Sequence, residues 1–125
     1  MVVKATVAAI GQDAYEPAEP ILILFGKDAT PVLRDVALIQ CFDGTATQQQ
    51  LVPERGTKVQ IDDQVYHVTH VGDLATKNLQ TLGHVTLVFQ PVPEHDALES
   101  ALYLAPAVMP KVHVGSHLMY CNPEE

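Results

Sequence analysis

Histidine and cysteine are the side chains of this sequence with the widest chemistry near neutral pH, and the chain has six of the first and two of the second. A neutral imidazole nitrogen is both a nucleophile and a zinc ligand, and so is a thiolate. Two pairs of histidines have spacings that occur in zinc sites, His67-x2-His70 and His113-x3-His117. A metal site and a covalent group-transfer site are therefore the two kinds of chemistry to weigh.

We expect neither histidine pair to hold a metal. Residues 64–71 are predicted to form a strand, and side chains three positions apart on a regular strand point to opposite faces. The rings of His67 and His70 should therefore be separated. The Gly115-Ser116 turn interrupts the second pair, and no cysteine pair or acidic residue completes an obvious ligand set. The sequence thus predicts no metal and no other cofactor.

The two cysteines, Cys41 and Cys121, are too few for a disulfide framework and are typical of a reduced, cytoplasmic protein. Cys41 would be a nucleophile if its surroundings stabilised the thiolate. However, it lies within the apolar run 36–42, which we predict to be a strand, and a cysteine in such a run is usually part of the core. Packing is the main interpretation of Cys41, and catalysis is the alternative.

His84 lies at the junction of a predicted helix and a predicted strand. Asp73 can cap the start of the helix with its carboxylate, and Gly83 is placed to end it in a left-handed conformation. The helix has one apolar stripe at helical spacing, made of Ala75, Leu79 and Leu82. Residues 84–89, HVTLVF, then predict a β-branched and aromatic strand. The apolar stripe of the helix and the strand should both be buried. His84 is either a structural histidine that bonds a backbone group or a reactive histidine.

The remainder of the chain consists of short strands separated by frequent turns. Apolar or alternating runs predict strands at residues 2–10, 21–25, 36–42, 58–61, 64–71, 102–104, 111–114 and 117–120. Thr30-Pro31 predicts a helix of one or two turns, since proline at the first helical position gives up only an N–H that would be unpaired. The pattern indicates an all-β sandwich or barrel, and 125 residues predict a single domain spanning 1–125.

The charge balance excludes several kinds of partner. Seven lysines and arginines against fifteen aspartates and glutamates give a net charge of −8, which repels nucleic-acid phosphates and anionic lipid surfaces. No apolar run approaches the roughly twenty residues of a membrane-spanning helix, and the N-terminal segment lacks the features of a signal peptide. We therefore expect a cytoplasmic protein that binds no nucleic acid and does not insert into a membrane.

The run LGHVTL at residues 82–87, preceded by HVTHVG at 67–72, resembles the glucitol/sorbitol-specific enzyme IIA component of the bacterial sugar phosphotransferase system. The resemblance extends over nearly the whole chain. It implies the family's fold, a small closed barrel of about six strands with one short helix. It also implies a phosphoryl relay, in which a histidine of enzyme IIA accepts the group from the phosphocarrier protein and passes it to enzyme IIB.

The segment that carries the acceptor differs from the family at a decisive position. The family has Ile-His-Cys-His-Gly at the end of the third strand, and the matching residues here are 39–44, IQCFDG, with one extra residue before the glycine. Gln40 occupies the position of the acceptor, which we expect at the rim of the barrel, and Phe42 replaces the second histidine. A carboxamide nitrogen is delocalised into its carbonyl and is not a nucleophile, so Gln40 cannot carry a phosphoryl group.

Three interpretations follow from this difference. The chain acts as a non-phosphorylatable regulatory or binding module, or another residue accepts the phosphoryl group, or the match is displaced by a residue or two. His84 is the first alternative acceptor and Cys41 the second. The displacement is excluded, because no histidine lies between Met1 and Tyr66. The other two interpretations stay open, and with them the question whether the protein is an enzyme.

The resemblance also implies the partners of the protein. They are the phosphocarrier protein on one side and the enzyme IIB and IIC parts of a sugar transporter on the other. The sequence does not indicate which sugar is transported, and it leaves open whether the chain forms a homodimer.

Overall fold

Eight strands close into one barrel in the computed structural model, which describes residues 2–16 and 18–123. They are β1 Val2–Ile10, β2 Ile21–Phe25, β3 Leu38–Phe42, β4 Lys58–Ile61, β5 Gln64–Val71, β6 Val85–Val88, β7 Ala101–Ala105 and β8 His117–Cys121. Their order around the barrel is β1-β3-β2-β6-β7-β5-β4-β8, and only the neighbours β2–β3 and β6–β7 are parallel. The predicted all-β closed barrel is confirmed, with eight strands where about six were expected.

Three short helices join the strands within the described ranges. They are α1 Pro31–Asp35, α2 Thr45–Gln50 and α3 Ala75–Leu82. The predicted helix start at Thr30-Pro31 is confirmed, with Thr30 as the N-cap residue of α1. Helix α2 was not expected, because its run of threonines and glutamines has no apolar periodicity. In the described ranges we find no helix that combines the length and the apolar character needed to cross a membrane.

Alternate residues of the strands fill the barrel interior. The register of β1 and β3 pairs Ala5 with Phe42 and Val7 with Gln40, so the two β3 side chains share the inner face with their β1 neighbours. The interior around them contains side chains that are at most 1% exposed, among them Leu22, Leu24, Leu87, Leu102, Leu118 and Tyr120. An eight-stranded barrel is just wide enough for side chains to fill it. Gln40 is therefore a polar residue in a packed and largely apolar interior.

Strand β5 contains a β-bulge that changes the direction of its histidines. The pairing with β7 shifts between Val68 and His70, so that Thr69 is an extra residue. Val68 and Val71 both turn toward the core as a result, and His67 and His70 both lie on the outer face. The prediction that these two rings point to opposite faces is wrong, because it assumed a strand without a bulge.

Helix α3 packs on the barrel through Ala75 and Leu79, which are fully buried. Residues 85–89, which follow the helix, are buried as predicted. Leu82 is 56% exposed, so the prediction that it belongs to the buried stripe is wrong. The reason is its place in the last turn of the helix, where it lines an open cleft instead of contacting the barrel interior.

Backbone groups, and no side chain, cap the start of α3. Leu74 is the N-cap residue, and its N–H donates to the carbonyl oxygen of Glu99 at 2.8 Å. The N–H of Ala75 donates to the carbonyl oxygen of Gly72 at 3.1 Å. The prediction that Asp73 caps the helix is therefore wrong, because neighbouring backbone carbonyls already accept from these N–H groups.

Residues 111–114 do not form the predicted strand. Lys111 is bonded by a side chain instead: its N–H donates to Gln64 Oε1 at 2.8 Å, and its carbonyl accepts from Gln64 Nε2 at 2.9 Å. Two residues later, the N–H of His113 donates to Ser116 Oγ at 3.0 Å. The carboxamide of Gln64 thus supplies the bonds that a neighbouring strand would have made.

Candidate functional site

Gln40 lies in the middle of β3 with its side chain in the barrel interior, where it is 1% exposed. Its Nε2 donates to the carbonyl oxygen of Gly83 at 2.9 Å, and its Oε1 accepts from the hydroxyl of Tyr120 at 2.7 Å. A backbone carbonyl can only accept, so the amide nitrogen must face Gly83 and the orientation of the carboxamide is fixed. Position 40 is therefore a buried and fully bonded position, not the exposed rim position that the sequence predicted.

Tyr120 holds the oxygen end of that carboxamide. The residue is fully buried, and its ring stacks on Phe42 with centroids 6.1 Å apart. Burial raises the pKa of Tyr120 well above its ordinary value of 10, so the hydroxyl stays protonated and donates to Gln40. A buried tyrosine needs a partner for its hydroxyl. Replacing either Tyr120 or Gln40 alone would leave the other with an unpaired buried polar atom.

The carbonyl that accepts from Gln40 belongs to a close crossing of two backbone segments. Gly83 ends α3 with φ at 65°, the left-handed conformation predicted for it. A Cβ atom on Gly83 would lie 3.0 Å from the Cα of Gly26, and the N–H of Gly26 donates to the carbonyl oxygen of Leu82 at 3.0 Å. Glycine alone suits both the conformation and the close approach. The crossing therefore sets where the Gly83 carbonyl meets β3.

His84 follows Gly83 and is half-buried, one residue ahead of strand β6. Its ring stacks on Phe25 with centroids 4.0 Å apart and planes 14° from parallel. Nδ1 lies 3.0 Å from the carbonyl oxygen of Leu24, so the ring proton is on Nδ1 and donates to that oxygen. Among the described residues Nε2 has no hydrogen-bond partner. His84 is thus held by one nitrogen, and in the neutral ring the lone pair is on the other.

Gln40 and Cys41 both line a cleft of about 980 Å³. The walls of the cleft come from α1, α2, α3 and the segment that connects β2 to α1. Cys41 is half-buried and unpaired with Cys121, and it lies opposite Thr6 on the outer side of β3. The structure therefore brings Gln40 and Cys41 to one cleft; His84 is not part of the lining but stacks on Phe25, which is.

The polar groups of the cleft are mainly carboxamides. Four glutamines line it, at positions 40, 48, 49 and 80. Its charged lining residues are Lys27 and Asp28, one of each sign and both exposed. Phosphoryl-transfer sites usually surround the transferred group with cations or converging N–H donors. This cleft is instead close to electrically neutral.

Neither histidine pair completes a metal centre. Within residues 2–16 and 18–123, no three His, Cys, Asp or Glu side chains lie together as ligands. His113 instead contacts a carboxylate, with Nε2 3.8 Å from Oδ2 of Asp62. The backbone N–H of His117, 2.9 Å from Oδ1, and the Ser116 hydroxyl, 2.8 Å from Oδ2, hold the pKa of Asp62 below its ordinary value of 3.8. Asp62 thus fastens the turn at residues 115–116 to the barrel.

Sequence reasoning missed two features of the site. One is Tyr120, for which a signal existed: alternation in the predicted strand puts Leu118 and Tyr120 on one face, and a buried tyrosine needs a polar partner. The other is a reciprocal pair of bonds between α2 and α3, in which Gln48 Nε2 donates to Leu79 O and Gln80 Nε2 donates to Leu51 O, each at 2.9 Å. No local sequence pattern predicts these bonds, since they join residues about thirty positions apart.

Known proteins resemble this chain in both sequence and fold. The profile of the family described as PTS system glucitol/sorbitol-specific IIA component matches residues 2–119. The PTS system glucitol/sorbitol-specific EIIA components of Escherichia coli strain K12 and of Shigella flexneri are each 29% identical over 126 residues, covering 100% of this chain and 98% of theirs. The crystal structure of the PTS system IIA component from Enterococcus faecalis V583 matches with a TM-score of 0.90 and 36% identity, covering 95% of this chain and 99% of that one. The chain therefore belongs to the glucitol/sorbitol-specific IIA component family of the phosphotransferase system.

Proposed function

We propose that this chain is an enzyme IIA-type component of a sugar phosphotransferase system that does not accept a phosphoryl group at position 40 and works as a binding or regulatory module. The observation that carries the proposal is the state of Gln40. Both polar atoms of its carboxamide are bonded within the protein, and 1% of the residue is exposed. A phosphoryl acceptor needs the opposite, an accessible nucleophilic lone pair.

The residue two positions further along supports the same function. Phe42 replaces the second histidine of the family's segment, and its ring packs against Tyr120. It offers neither a nucleophile nor a donor for phosphoryl oxygens. The two positions that hold histidines in the family's segment therefore hold a bonded amide and a packed ring here. The cleft beside them has one cation and one anion in its lining and supplies little stabilisation for a transferred phosphoryl group.

The partners follow from the family. We propose the phosphocarrier protein and the enzyme IIB and IIC parts of a sugar transporter, with the chain working in the cytoplasm as one domain. The mouth of the cleft supports a protein contact, because Leu33 and Leu82 expose 36% and 56% of their surface there. Whether the chain forms a homodimer can be read from its mass in solution by light scattering.

A reconstituted relay tests the proposal. The natural chain is mixed with phosphoenolpyruvate, the upstream kinase and the phosphocarrier protein, and acid-labile phosphate is measured at neutral pH. We expect none on this chain, while a family EIIA component with histidine at the acceptor position becomes phosphorylated in a parallel reaction. Binding of the phosphocarrier protein is measured separately by calorimetry and should persist. Phosphate on the natural chain would contradict the proposal.

The variant Gln40→His tests whether position 40 still communicates with the cleft. The Gly83 carbonyl can accept from one ring nitrogen, which would leave the other nitrogen directed away from it. We expect weak phosphorylation, together with a loss of about 1–3 kcal/mol of stability because the Tyr120 hydroxyl no longer meets the amide oxygen. Adding Phe42→His should raise the rate. Gln40→Asn is the matched control, since it keeps a carboxamide and should stay unphosphorylated.

A relay through His84 is the second candidate function. The observation that favours it is the bond from Nδ1 to the Leu24 carbonyl, which leaves Nε2 with its lone pair. In such a relay Nε2 attacks the phosphorus of the donor phosphohistidine, a new N–P bond forms, and the donor imidazole leaves with the electron pair of the bond that breaks. His84→Gln would then abolish phosphorylation of the natural chain, whereas His67→Gln, on the outer face of β5, would not.

A further inference from the structure

Strand directions place the cleft and the loop between β1 and β2 at opposite ends of the barrel. Strand β3 begins with Leu38 beside Ile10 and ends with Phe42 beside Ala5. Phe42 lines the cleft, whereas the loop starts after Ile10. The pairings of β2 with β3, of β2 with β6 and of β6 with β7 bring the ends of β6 and β7 to the side of this loop. We call this side the distal end, and it includes residues 11–16, 18–20, 89–92 and 106–112.

Hydrogen bonds and packing join the segments of the distal end. The N–H of Phe89 donates to the carbonyl oxygen of Pro20 at 2.8 Å, and the hydroxyl of Tyr66 donates to the carbonyl oxygen of Val108 at 2.6 Å. The rings of Tyr66 and Phe89 meet edge to face with centroids 4.9 Å apart. Ala14 is buried as part of the barrel core. The loop after β1, the residues after β6 and the segment after β7 therefore meet at one surface.

The outer side of the distal end exposes a tyrosine and two valines. Tyr15 is 48% exposed, Val92 37% and Val108 60%. Burial raises the pKa of Tyr66 above its ordinary value of 10, and the nearby Tyr15 hydroxyl adds to the rise, so Tyr15 lies close to the Tyr66–Val108 bond. Tyrosine is one of the residues that most often anchor protein interfaces. Tyr15 and Val108 are therefore an aromatic and an aliphatic anchor side by side.

The charge around these anchors is almost entirely negative. The loop at residues 11–20 contains no lysine or arginine, and Asp63, next to the Gln64 that bonds Lys111, adds to its carboxylates. The exposed carboxylates are Asp13, Glu16, Glu19 and Asp63. Within residues 2–16 and 18–123, none of the four forms a salt bridge. Lys111 is the one lysine or arginine in residues 106–112.

We propose that the distal end docks a basic segment of a partner protein, whose lysines and arginines pair with these carboxylates while apolar side chains between them contact Tyr15 and Val108. The partner we assign is the membrane-embedded part of a sugar transporter, through a segment on its cytoplasmic side. The inference rests on the proposed function, because it takes such a transporter as the partner of this chain.

Two general properties favour this partner. Cytoplasmic loops of membrane proteins carry an excess of lysine and arginine. Carboxylates that have no cation partner attract such loops, while the net charge of −8 repels the anionic lipids around them. Docking at the distal end also leaves the cleft accessible, so the chain is able to hold a second partner there at the same time.

Calorimetry of the natural, full-length chain tests the chemistry of the contact. The probe is a short synthetic peptide in which lysine and arginine alternate with leucine and phenylalanine, and the comparison peptide has glutamate in place of every cation. We expect saturable binding of the basic peptide, weaker at high salt, and no binding of the acidic one. In ¹⁵N nuclear magnetic resonance spectra, the largest shifts should belong to the amides of residues 14–16 and 107–109.

Matched pairs of variants locate the contact. Glu19→Lys and Glu54→Lys change the net charge equally at exposed positions, but Glu54 lies outside the distal end. Glu19→Lys should weaken peptide binding about fivefold, whereas Glu54→Lys should leave it nearly unchanged. Val108→Ser should weaken binding about fivefold through lost apolar contact. Val52→Ser, at a valine that is 51% exposed elsewhere, should not.

Crosslinking identifies the natural partner. A photoreactive phenylalanine derivative replaces Val108 or, as the control, Val52, in cells that contain the transporter. The derivative at position 108 should crosslink to a segment of the membrane-embedded part that is rich in lysine and arginine, and the derivative at position 52 should not. A crosslink from position 108 to the phosphocarrier protein or to enzyme IIB would overturn the proposal.

The remaining outcomes separate this inference from its alternatives and from the proposed function. Equal weakening by Glu19→Lys and Glu54→Lys would show only an attraction to the net charge and would overturn the inference. A homodimer that Val108→Ser separates would assign the distal end to a second copy and would overturn it as well. Phosphorylation of the natural chain would contradict the proposed function while leaving the peptide and crosslinking results intact.

Discussion

Gln40 and His84 both adjoin Gly83, Gln40 through a hydrogen bond to its carbonyl and His84 as the next residue, and the two side chains are held in different ways. Gln40 is 1% exposed and has both ends of its carboxamide bonded, to Gly83 and to Tyr120. His84 is half-buried and bonded at Nδ1 alone. The two side chains therefore differ in both chemistry and bonding: Gln40 has no nucleophilic nitrogen and both ends of its carboxamide are bonded, whereas His84 has one ring nitrogen without a bond.

The same difference explains what position 40 contributes to the fold. A polar group in an apolar barrel is destabilising unless every bond is made, and a fully satisfied one joins the elements around it. Gln40 joins β3 to the end of α3 and to β8. An acceptor at this position would have to leave one bond unmade, so the side chain present here favours structure over group transfer.

The largest effect should come from emptying the core position of Leu79, because α3 ends at the glycine that Gln40 bonds and that His84 follows. Leu79 is fully buried on α3, and its carbonyl accepts from Gly83 N–H at 3.2 Å and from Gln48 Nε2 at 2.9 Å. Leu79→Ala should lower the free energy of unfolding by about 2–5 kcal/mol, as emptying a core leucine site does. Leu82→Ala, in the exposed last turn, should cost less than about 0.5 kcal/mol. Chemical denaturation measures both.

Equal losses in these two variants would mean that Leu82 is packed and that α3 does not position the glycine turn as described. The two leucines belong to one helix and are three residues apart. The pair therefore separates the contribution of burial from that of helix propensity, which is the same in both substitutions.

A smaller effect should follow from removing one hydrogen bond of Gln40 while the bond of His84 stays intact. Tyr120→Phe removes the hydroxyl that donates to Gln40 Oε1 and leaves a buried amide oxygen unpaired, which should cost about 1–3 kcal/mol. Tyr15→Phe is the matched control, since Tyr15 is 48% exposed and its hydroxyl can bond water. The ring resonances of His84 should be unchanged in both variants. A Tyr120→Phe protein as stable as its parent would show that the interior bond does not hold Gln40.

The smallest effect concerns a carboxylate in the β4–β5 turn, which takes no part in the bonds of Gln40 or His84. The N–H of His117 holds the pKa of Asp62 below 3.8, so the stability that Asp62 contributes is complete above that value and is lost as pH falls through the lowered pKa. Asp62→Asn should cost less than about 1 kcal/mol at pH 7, because the group is largely solvated.

The pH dependence of Asp62→Asn identifies the mechanism. Parent and variant should converge in stability as the pH drops below the folded pKa, and Asp63→Asn, on an exposed neighbour, should show no such convergence. Asparagine tolerates the left-handed φ of 54° at position 62, so backbone strain is not introduced. A constant difference at all pH values would assign the effect to shape and not to charge.

Local patterns predicted most of the fold correctly. The strands at 2–10, 21–25, 58–61 and 64–71 and the left-handed Gly83 follow from apolar runs, alternation and the position of a glycine after a helix. These features depend on residues that are neighbours in the sequence. Closure of the barrel came from the family resemblance, since spacing alone does not distinguish a sandwich from a barrel.

Features that depend on distant contacts were missed or predicted wrongly. The bulge at Thr69, which brings His67 and His70 to one face, has no glycine to mark it. The exposure of Leu82 depends on where the barrel wall ends, and the burial of Gln40 depends on Gly83 and Tyr120, which lie 43 and 80 residues away. The sequence shows that residue 40 is a glutamine, but it does not predict the hydrogen bonds that hold this side chain.

Intact-mass spectrometry of the natural chain, after incubation with the phosphorylated phosphocarrier protein, shows whether the chain accepts a phosphoryl group. The sample is kept at neutral pH, because a phosphohistidine is lost in acid. We expect an unmodified mass for the natural chain under conditions in which Gln40→His gains a phosphoryl group on part of its molecules. If the natural chain gains one phosphoryl group and the His84→Gln variant does not, the chain is an active relay component and His84 is the acceptor.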